Sequence, residues 1–264
     1  MRLIRAAALL STASLLAGCS GIQSLLPGFA ERPAPQSQLT GLAADVEARG
    51  DAATALALYQ RAATDGSAAA QIRLGEAYLR HGQIASAIAA YKAALARDPG
   101  SMEAELGLGL AELRSGDVGA GLAHLRAAAP KMNTAVAYNR LAAAEAMVGE
   151  VEAARASFQM ALSLAPGDLD LKTNLALLAA VTGRGEDAIA GMQDVVRAAA
   201  AQAGHERNYV LVLGLAGREA DARRLASPSI PKRQIAEILA RAKAIRALRD
   251  AAARSRALGT VTSA

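Results

Sequence analysis

The chain of 264 residues is 53% hydrophobic and only 3% aromatic, with a formal net charge of +5. This apolar content is sufficient for a core, but so few aromatic rings argue against stacking on nucleic acid bases or sugars. The apolar residues follow helical spacing, and no run of alternating β-branched residues occurs, so the sequence predicts an all-α protein. The single cysteine excludes an internal disulfide.

Residues 1–18 have the pattern of a secretory signal peptide. Arg2 and Arg5 precede an apolar run that is shorter than the roughly 20 residues needed to span a bilayer, and small residues stand before Cys19. The sequence LAGC that ends at Cys19 resembles the lipobox of bacterial lipoproteins. The resemblance implies that Cys19 is lipidated, becomes the new N terminus and anchors the chain to a membrane without crossing it. The alternative is an ordinary signal peptide in which Cys19 has no role.

Residues 19–35 contain several Gly and Pro residues and show little periodicity. We therefore predict a lipidated N terminus followed by a flexible tether. By the sorting rule of the lipoprotein family, Ser20 after the lipidated cysteine implies an outer-membrane location facing the periplasm, and the inner membrane is the alternative.

Residues 68–101 carry a motif that the rest of the chain repeats. Leu74 and Gly75 are followed by Tyr78, Gly82, Ala87, Tyr91, Ala94 and Pro99. This spacing reproduces the pattern of a tetratricopeptide repeat, in which two helices form a hairpin. We expect Gly82 to end the first helix in the left-handed conformation and Pro99 to end the second. Because one hairpin cannot bury its apolar face alone, such hairpins stack.

The glycine that closes the first helix recurs with a nearly constant spacing of 32 to 34 residues, as Gly50, Gly82, Gly116, Gly149, Gly183 and Gly217. The third copy departs most from the pattern, since we expect Pro130 to end its second helix early. The repeats predict a right-handed superhelical α-solenoid of about six hairpins over residues 36–226. The predicted repeats are 36–67, 68–101, 102–134, 135–168, 169–202 and a partial 203–226.

Residues 227–231 interrupt the helical pattern with two prolines, and residues 232–256 resume it. An apolar stripe from Ile235 to Leu248 predicts a helix that caps the last repeat. This segment holds eight Lys or Arg residues against two acidic ones. The basic residues either form a solvated face or contact anionic lipid, lipopolysaccharide or an acidic partner.

The sequence contains none of the common catalytic motifs, such as HExxH, GxxxxGK[ST], GxSxG or CxxC. His81, His124 and His205 have no partners at metal-ligand spacing, so we expect scattered structural histidines. We therefore expect no enzymatic activity, no metal, no cofactor and no nucleic acid ligand.

Stacked hairpins expose a concave groove lined by their first helices, where polar side chains can hold a segment of another protein. Counting from each closing glycine places six polar residues on or beside this groove, and Asn174 and Asn208 are equivalent to each other. We expect the groove to be mostly apolar around them, through Leu106, Leu110, Val136, Leu177 and Leu211. Each polar residue either anchors a peptide or only solvates the groove. The six are Arg73, Asn139, Arg140, Asn174, Arg207 and Asn208.

The combination of lipobox, repeats and C-terminal helix is similar to the TadD-type lipoprotein of tight-adherence (Flp) pilus assembly. The similarity lies in the sequences NLAL at Asn174 and NYVL at Asn208, the Gly-Arg turns that follow them, and the tail from Pro231 to Leu248. It implies a lipid-anchored periplasmic scaffold that helps assemble or localise the pilus secretion pore, its secretin. The alternatives are a pilotin-like lipoprotein of another envelope machine and a regulatory subunit of a periplasmic cell-wall enzyme.

Overall fold

The computed structural model describes residues 36–64 and 66–259, which form fourteen helices and no strand. In chain order the helices are α1 Gln36–Ala48, α2 Ala52–Ala63, α3 Ala68–Arg80, α4 Ile84–Arg97, α5 Met102–Ser115, α6 Val118–Met132, α7 Ala135–Val148, α8 Val151–Leu164, α9 Leu169–Val181, α10 Gly185–Arg197, α11 Ala203–Leu215, α12 Glu219–Arg224, α13 Lys232–Arg246 and α14 Ala251–Gly259.

Helices α1 to α12 pair in sequence as six hairpins, and each hairpin packs on the next. The odd-numbered helix is the first of its pair and the even-numbered helix the second. Successive first helices such as α3 and α5, or α9 and α11, also contact each other. The predicted all-α solenoid of stacked hairpins is confirmed.

The turns inside the hairpins are encoded locally. All six recurring glycines have φ between +70° and +94°, which side chains other than glycine adopt at a cost. Polar side chains start many of the helices: Ser67, Ser101 and Asp117 each accept a hydrogen bond from a backbone N–H in the first turn. The predicted role of the recurring glycines is therefore confirmed.

The third hairpin brings its two helices together through glycines. A Cβ at Gly109 of α5 would lie 2.8 Å from the Gly121 carbonyl of α6, so only glycine fits at this crossing. The expectation that Pro130 ends this hairpin early is wrong, because α6 continues to Met132 and ends at Asn133, whose φ is +46°. Pro130 lies close to the end of the helix, where the backbone hydrogen bond that it removes is tolerated.

The segment after α12 closes the last hairpin. Buried apolar residues of α9 to α13, together with Ile230 and Leu258, form one cluster, which we call the C-terminal core. Helix α13 packs on α11 so closely that a Cβ at Gly214 would lie 2.6 Å from the Ala242 Cβ. Ile235, Leu239 and Ile245 of the predicted stripe are buried.

The structure divides the segment 232–256, predicted as one capping helix, into α13 and most of α14. Residues 247–250 between them are exposed, and Leu248 lies in this break. Helix α14 does not continue outward but turns back to pack on α7 and α9, the first helices of the fourth and fifth hairpins. The residues that it contacts there are far away in sequence, so the local hydrophobic pattern does not predict where this helix packs.

The predicted signal peptide, Cys19 and the tether lie outside the described residues. Within the described ranges, no helix combines the length and apolarity needed to cross a bilayer.

Candidate protein-binding groove

The six predicted binding residues lie on first helices. Arg73 is on α3, Asn139 and Arg140 are on α7, Asn174 is on α9, and Arg207 and Asn208 are on α11. Four of them stand nine residues before the closing glycine of their hairpin, namely Arg73, Arg140, Asn174 and Asn208. We call the surface that they share, together with the residues four positions before them and three, four and seven positions after them on each first helix, the groove face.

The amino-terminal part of the groove face carries a charge network. Arg73 Nη1 donates to Glu76 Oε2 at 2.9 Å, and Arg73 Nη2 lies 3.9 Å from Glu103 Oε1 of the next first helix. The bond to Glu76 raises the pKa of Arg73 above its ordinary value. The Arg73 side chain is 54% exposed, so this network fixes its direction but leaves it available to a ligand.

An amide pair connects α7 to α9. Asn174 Nδ2 donates to Asn139 Oδ1 at 3.0 Å, and both residues are half-buried. A paired amide presents fewer free donors and acceptors to a ligand than an unpaired one. Asn208, although equivalent to Asn174 in sequence, has no side-chain hydrogen bond within the described residues, and the same holds for Arg207.

Two glycines of the first helices contact the buried ring of Tyr91 next to these residues. The Tyr91 ring, 2% exposed, lies against Gly75 of α3 and Gly107 of α5, where an added Cβ would come within 2.9 Å and 2.2 Å of its Cε1. Burial and, to a smaller extent, the Glu76 carboxylate raise the pKa of Tyr91, while Arg140 acts in the opposite direction. The contacts with Gly75 and Gly107 show that the ring reaches from α4 to the first helices α3 and α5. Gly107 stands nine residues before Gly116, so it is the position in the third hairpin that corresponds to Arg73 and Arg140.

The expectation of an exposed apolar groove holds only in part. Val136 is 59% exposed at the start of α7, and Leu110 is half-buried. The expected exposure of the other three is wrong: Leu106, Leu177 and Leu211 are buried. Leu177 and Leu211 belong to the C-terminal core, which also includes Leu258 of α14.

Helix α14 covers the carboxyl-terminal end of the groove face. Arg254 Nη1 donates to the Val181 carbonyl at 3.1 Å, and Arg256 Nη1 donates to the Met147 carbonyl at 2.9 Å. Val181 and Met147 stand seven residues after Asn174 and Arg140, two turns along the same helix faces. An added Cβ at Gly149 would lie 2.8 Å from the Ala252 Cβ, so α14 approaches the turn after α7 closely.

These arginines form a repeated arrangement. The last carbonyls of a helix lack partners within the helix and carry its partial negative charge, which favours cations. Arg246 makes the equivalent contact near the end of α11, where its Nη1 donates to the Gly214 carbonyl at 3.1 Å. Arg254 and Arg256 make the corresponding contacts at the ends of α9 and α7. Several basic residues of the C-terminal segment thus bind the protein's own helix ends. In contrast, Lys232, Arg233, Lys243 and Arg249 make no such bond to a helix end within the described residues, and Arg233 pairs instead with Glu237.

The three histidines make local polar contacts. His205 Nδ1 accepts from the Gln202 N–H at 2.9 Å, so Nε2 carries the proton and donates to Asp170 Oδ1 at 3.0 Å. His124 Nδ1 lies 2.7 Å from Glu105 Oε1, and His81 Nε2 lies 3.2 Å from Glu47 Oε1. In the described ranges no group of three or more His, Cys, Asp or Glu residues is arranged to hold a metal ion.

Comparison with known proteins agrees with this architecture. Residues 40–101 and 72–136 match the family model of the tetratricopeptide repeat. None of the curated proteins compared with the chain matches it. Residues 40–136 thus carry tetratricopeptide repeats, and the fold of the described chain is that of a tetratricopeptide repeat solenoid.

Several solved structures share the fold at low sequence identity. PilW, described as a widely conserved type IV pilus biogenesis factor, is 19% identical with a TM-score of 0.63, over 74% of this chain and 96% of PilW. PilF of Pseudomonas aeruginosa is 15% identical with a TM-score of 0.59, over 77% and 97% of the two chains. A thermophilic tetratricopeptide repeat protein from Thermus thermophilus is 22% identical with a TM-score of 0.60, over 67% and 98%.

Proposed function

We propose that this chain is a non-catalytic scaffold that binds another protein on the groove face of its first helices. The observation that carries the proposal is the part of the groove face from α3 to the start of α7, which α14 leaves uncovered. It combines an exposed apolar side chain, Val136, with the oriented guanidinium of Arg73 and the half-buried Asn139 and Arg140. An apolar surface with a few fixed polar groups is the usual composition of a peptide-binding groove.

We propose further that the scaffold is anchored by lipidated Cys19 to the outer membrane and faces the periplasm. The support is the lipobox-like sequence before Cys19 and the serine after it. Cys19→Ala is expected to move the protein from the membrane fraction to the soluble fraction after cell lysis, because the acyl chains supply the membrane affinity. Retention of this variant in the membrane at the wild-type level would refute the anchor.

For the partner we propose the secretion pore, or secretin, of a tight-adherence (Flp) pilus. The similarity of the Asn174 and Asn208 sequences and of the C-terminal tail to the TadD-type lipoprotein supports this choice. The fold shared with PilW and PilF supports the alternative function, a pilotin-like role in a type IV pilus. Regulation of a periplasmic cell-wall enzyme is the third candidate.

Crosslinking in native cells, followed by affinity purification and mass spectrometry, distinguishes these partners. Enrichment of a tight-adherence secretin supports the proposal, whereas a type IV pilus protein or a cell-wall enzyme would replace it with the corresponding alternative. Two matched variants test the groove. Val136→Asp places a charge on the groove face, and Met160→Asp places one on the second helix α8, where Met160 is 44% exposed.

We expect Val136→Asp to reduce recovery of the partner and Met160→Asp to leave it unchanged. Asn174→Ala together with Asn208→Ala tests the amides in the same way. If Met160→Asp abolishes recovery and Val136→Asp does not, the partner binds the face formed by the second helices, and the groove proposal is wrong.

A further inference from the structure

Helix α14 occupies the groove face as a ligand does. It places the half-buried Arg254 and the exposed Arg256 against the carboxyl ends of two neighbouring first helices, and Leu258, 8% exposed, joins the apolar cluster that contains Leu177 and Leu211. These three residues form the sequence Arg-x-Arg-x-Leu. Two guanidinium groups and one leucine side chain therefore make the side-chain contacts of this helix with α7, α9 and the C-terminal core, beside the approach of Ala252 to Gly149 and the bond from Arg241 of α13 to the Ala257 carbonyl.

Several features indicate that α14 is weakly held. It has nine residues, fewer than an isolated helix needs to be stable in water. The segment that connects it to α13, residues 247–250, is exposed throughout. Apart from Leu258, its apolar residues are alanines that remain partly exposed, so docking removes little apolar surface from water.

One buried group opposes the docking directly. Ser255, between the two arginines, is 6% exposed, and its Oγ has no hydrogen-bond partner within the described residues. In the undocked helix this hydroxyl would be hydrated, so docking loses a hydrogen bond to water without replacing it. A tightly fixed structural helix would gain from an alanine at this position.

We propose that the groove face of α7 and α9 is a receptor for a short helix with an Arg-x-Arg-x-Leu sequence, and that α14 is its intramolecular occupant. A partner protein binds by inserting a helix of this chemistry in place of α14. The inference deepens the scaffold function and rests on it. Its test contains no pilus protein, so its failure is distinguishable from failure to capture the proposed partner.

The test uses the full chain and a fluorescein-labelled peptide of residues 249–262. In the variant Arg254→Glu with Arg256→Glu the receptor surface is intact but α14 is repelled from the helix ends. We expect this variant to bind the peptide about tenfold or more tightly than the wild type does, because a site occupied from within has a reduced apparent affinity. Far-UV circular dichroism establishes that the variant keeps its helices.

The peptide has its own matched control. Arg249 is exposed and makes no hydrogen bond or ion pair in the described part of the chain, so the Arg249→Ala peptide should bind like the wild-type peptide. The Arg254→Ala, Arg256→Ala peptide should lose about tenfold or more in affinity because it lacks both contacts to the helix ends. In the full chain, Ser255→Ala should strengthen docking of α14 and weaken peptide binding below the wild-type level.

Three results would overturn the proposal: no peptide binding to the double-Glu variant, equal binding by that variant and the wild type, or equal binding of the two arginine-variant peptides. Sedimentation velocity adds a fourth. A wild-type dimer that the double-Glu variant dissociates would identify a second copy of the chain, and not a partner protein, as the source of the helix.

Discussion

The contact between Tyr91 and Gly107 allows a quantitative test of how the hairpins stack. In Gly107→Ala the new Cβ would lie 2.2 Å from Tyr91 Cε1 and 2.4 Å from Cζ, well inside contact distance. The ring is 2% exposed and also lies against Gly75, so it has little room to move away. The substitution therefore forces α4 and α5 apart or strains the tyrosine.

The magnitude follows from two opposing effects. Overpacking a buried site costs about 1–3 kcal/mol, whereas alanine is favoured over glycine within a helix by about 1 kcal/mol. Gly107→Ala alone is therefore expected to lower the free energy of unfolding by up to about 2 kcal/mol. In a Tyr91→Ala background the clash is absent and only the gain of about 1 kcal/mol remains. The difference between the two backgrounds isolates the packing cost.

Hydrogen exchange measured by mass spectrometry on the amides of α4 and α5 gives the local free energy of opening, and urea unfolding followed by circular dichroism gives the total. Gly41→Ala is the control, because Gly41 lies within α1 and a Cβ there meets nothing within 4 Å. It should gain stability in both backgrounds. If Gly107→Ala has the same effect with and without Tyr91, the tyrosine does not set the spacing of these helices.

The stability of the contact between the first two hairpins should depend on pH. Arg80 donates to both carboxylate oxygens of Glu47, at 2.8 Å and 2.7 Å, and this bond is the main cause that lowers the pKa of Glu47. A lowered native pKa stabilises the fold above the unfolded pKa of about 4.3, and this stabilisation disappears as the pH falls through the native value. Glu47→Gln should thus lower the melting temperature at pH 7 and approach the wild type near pH 3; an equal difference at both pH values would contradict the assignment. At Gly116, whose φ is +94° and whose surroundings are empty, Gly116→Ala should cost about 1–2 kcal/mol through backbone strain alone. An increase in stability like that expected for Gly41→Ala, measured by the same urea titration, would show that the turn does not require glycine.

The sequence predicts the hairpins well because their turns are determined locally. Each closing glycine is needed at a positive φ, so its recurrence marks the end of every first helix from α1 to α11. The buried stripe of α13 is also visible in the sequence as helical periodicity. The break between α13 and α14 is not, since residues 247–256 contain neither Gly nor Pro. The position of α14 is set by distant contacts such as that of Ala252 with Gly149.

The helix positions of the six candidate groove residues were predictable, but the hydrogen bonds between them were not. Counting along the helices places Arg73 and Arg140 on first-helix positions nine residues before their closing glycines, where the structure has them. The same count makes Asn174 equivalent to Asn208, yet the structure pairs Asn174 with Asn139, because a hydrogen bond depends on how neighbouring helices are offset. Leu177 and Leu211 are buried in the C-terminal core, whose members come from several helices. Leu110, at the equivalent position of the third hairpin, is only half-buried, so equivalence within a repeat does not determine exposure.

The return of α14 also bears on how the array comes apart. In a solenoid each repeat is coupled only to its neighbours, and both ends can open independently of the middle. The bond from Arg256 to Met147 links residues 109 positions apart, so α7, α9 and the C-terminal segment share contacts that are lost together. Opening the last hairpin thus also weakens the fourth and fifth. The first three hairpins keep the simple nearest-neighbour coupling, which leaves the array with one end that frays, at α1, and one that is connected to its middle for as long as α14 stays docked.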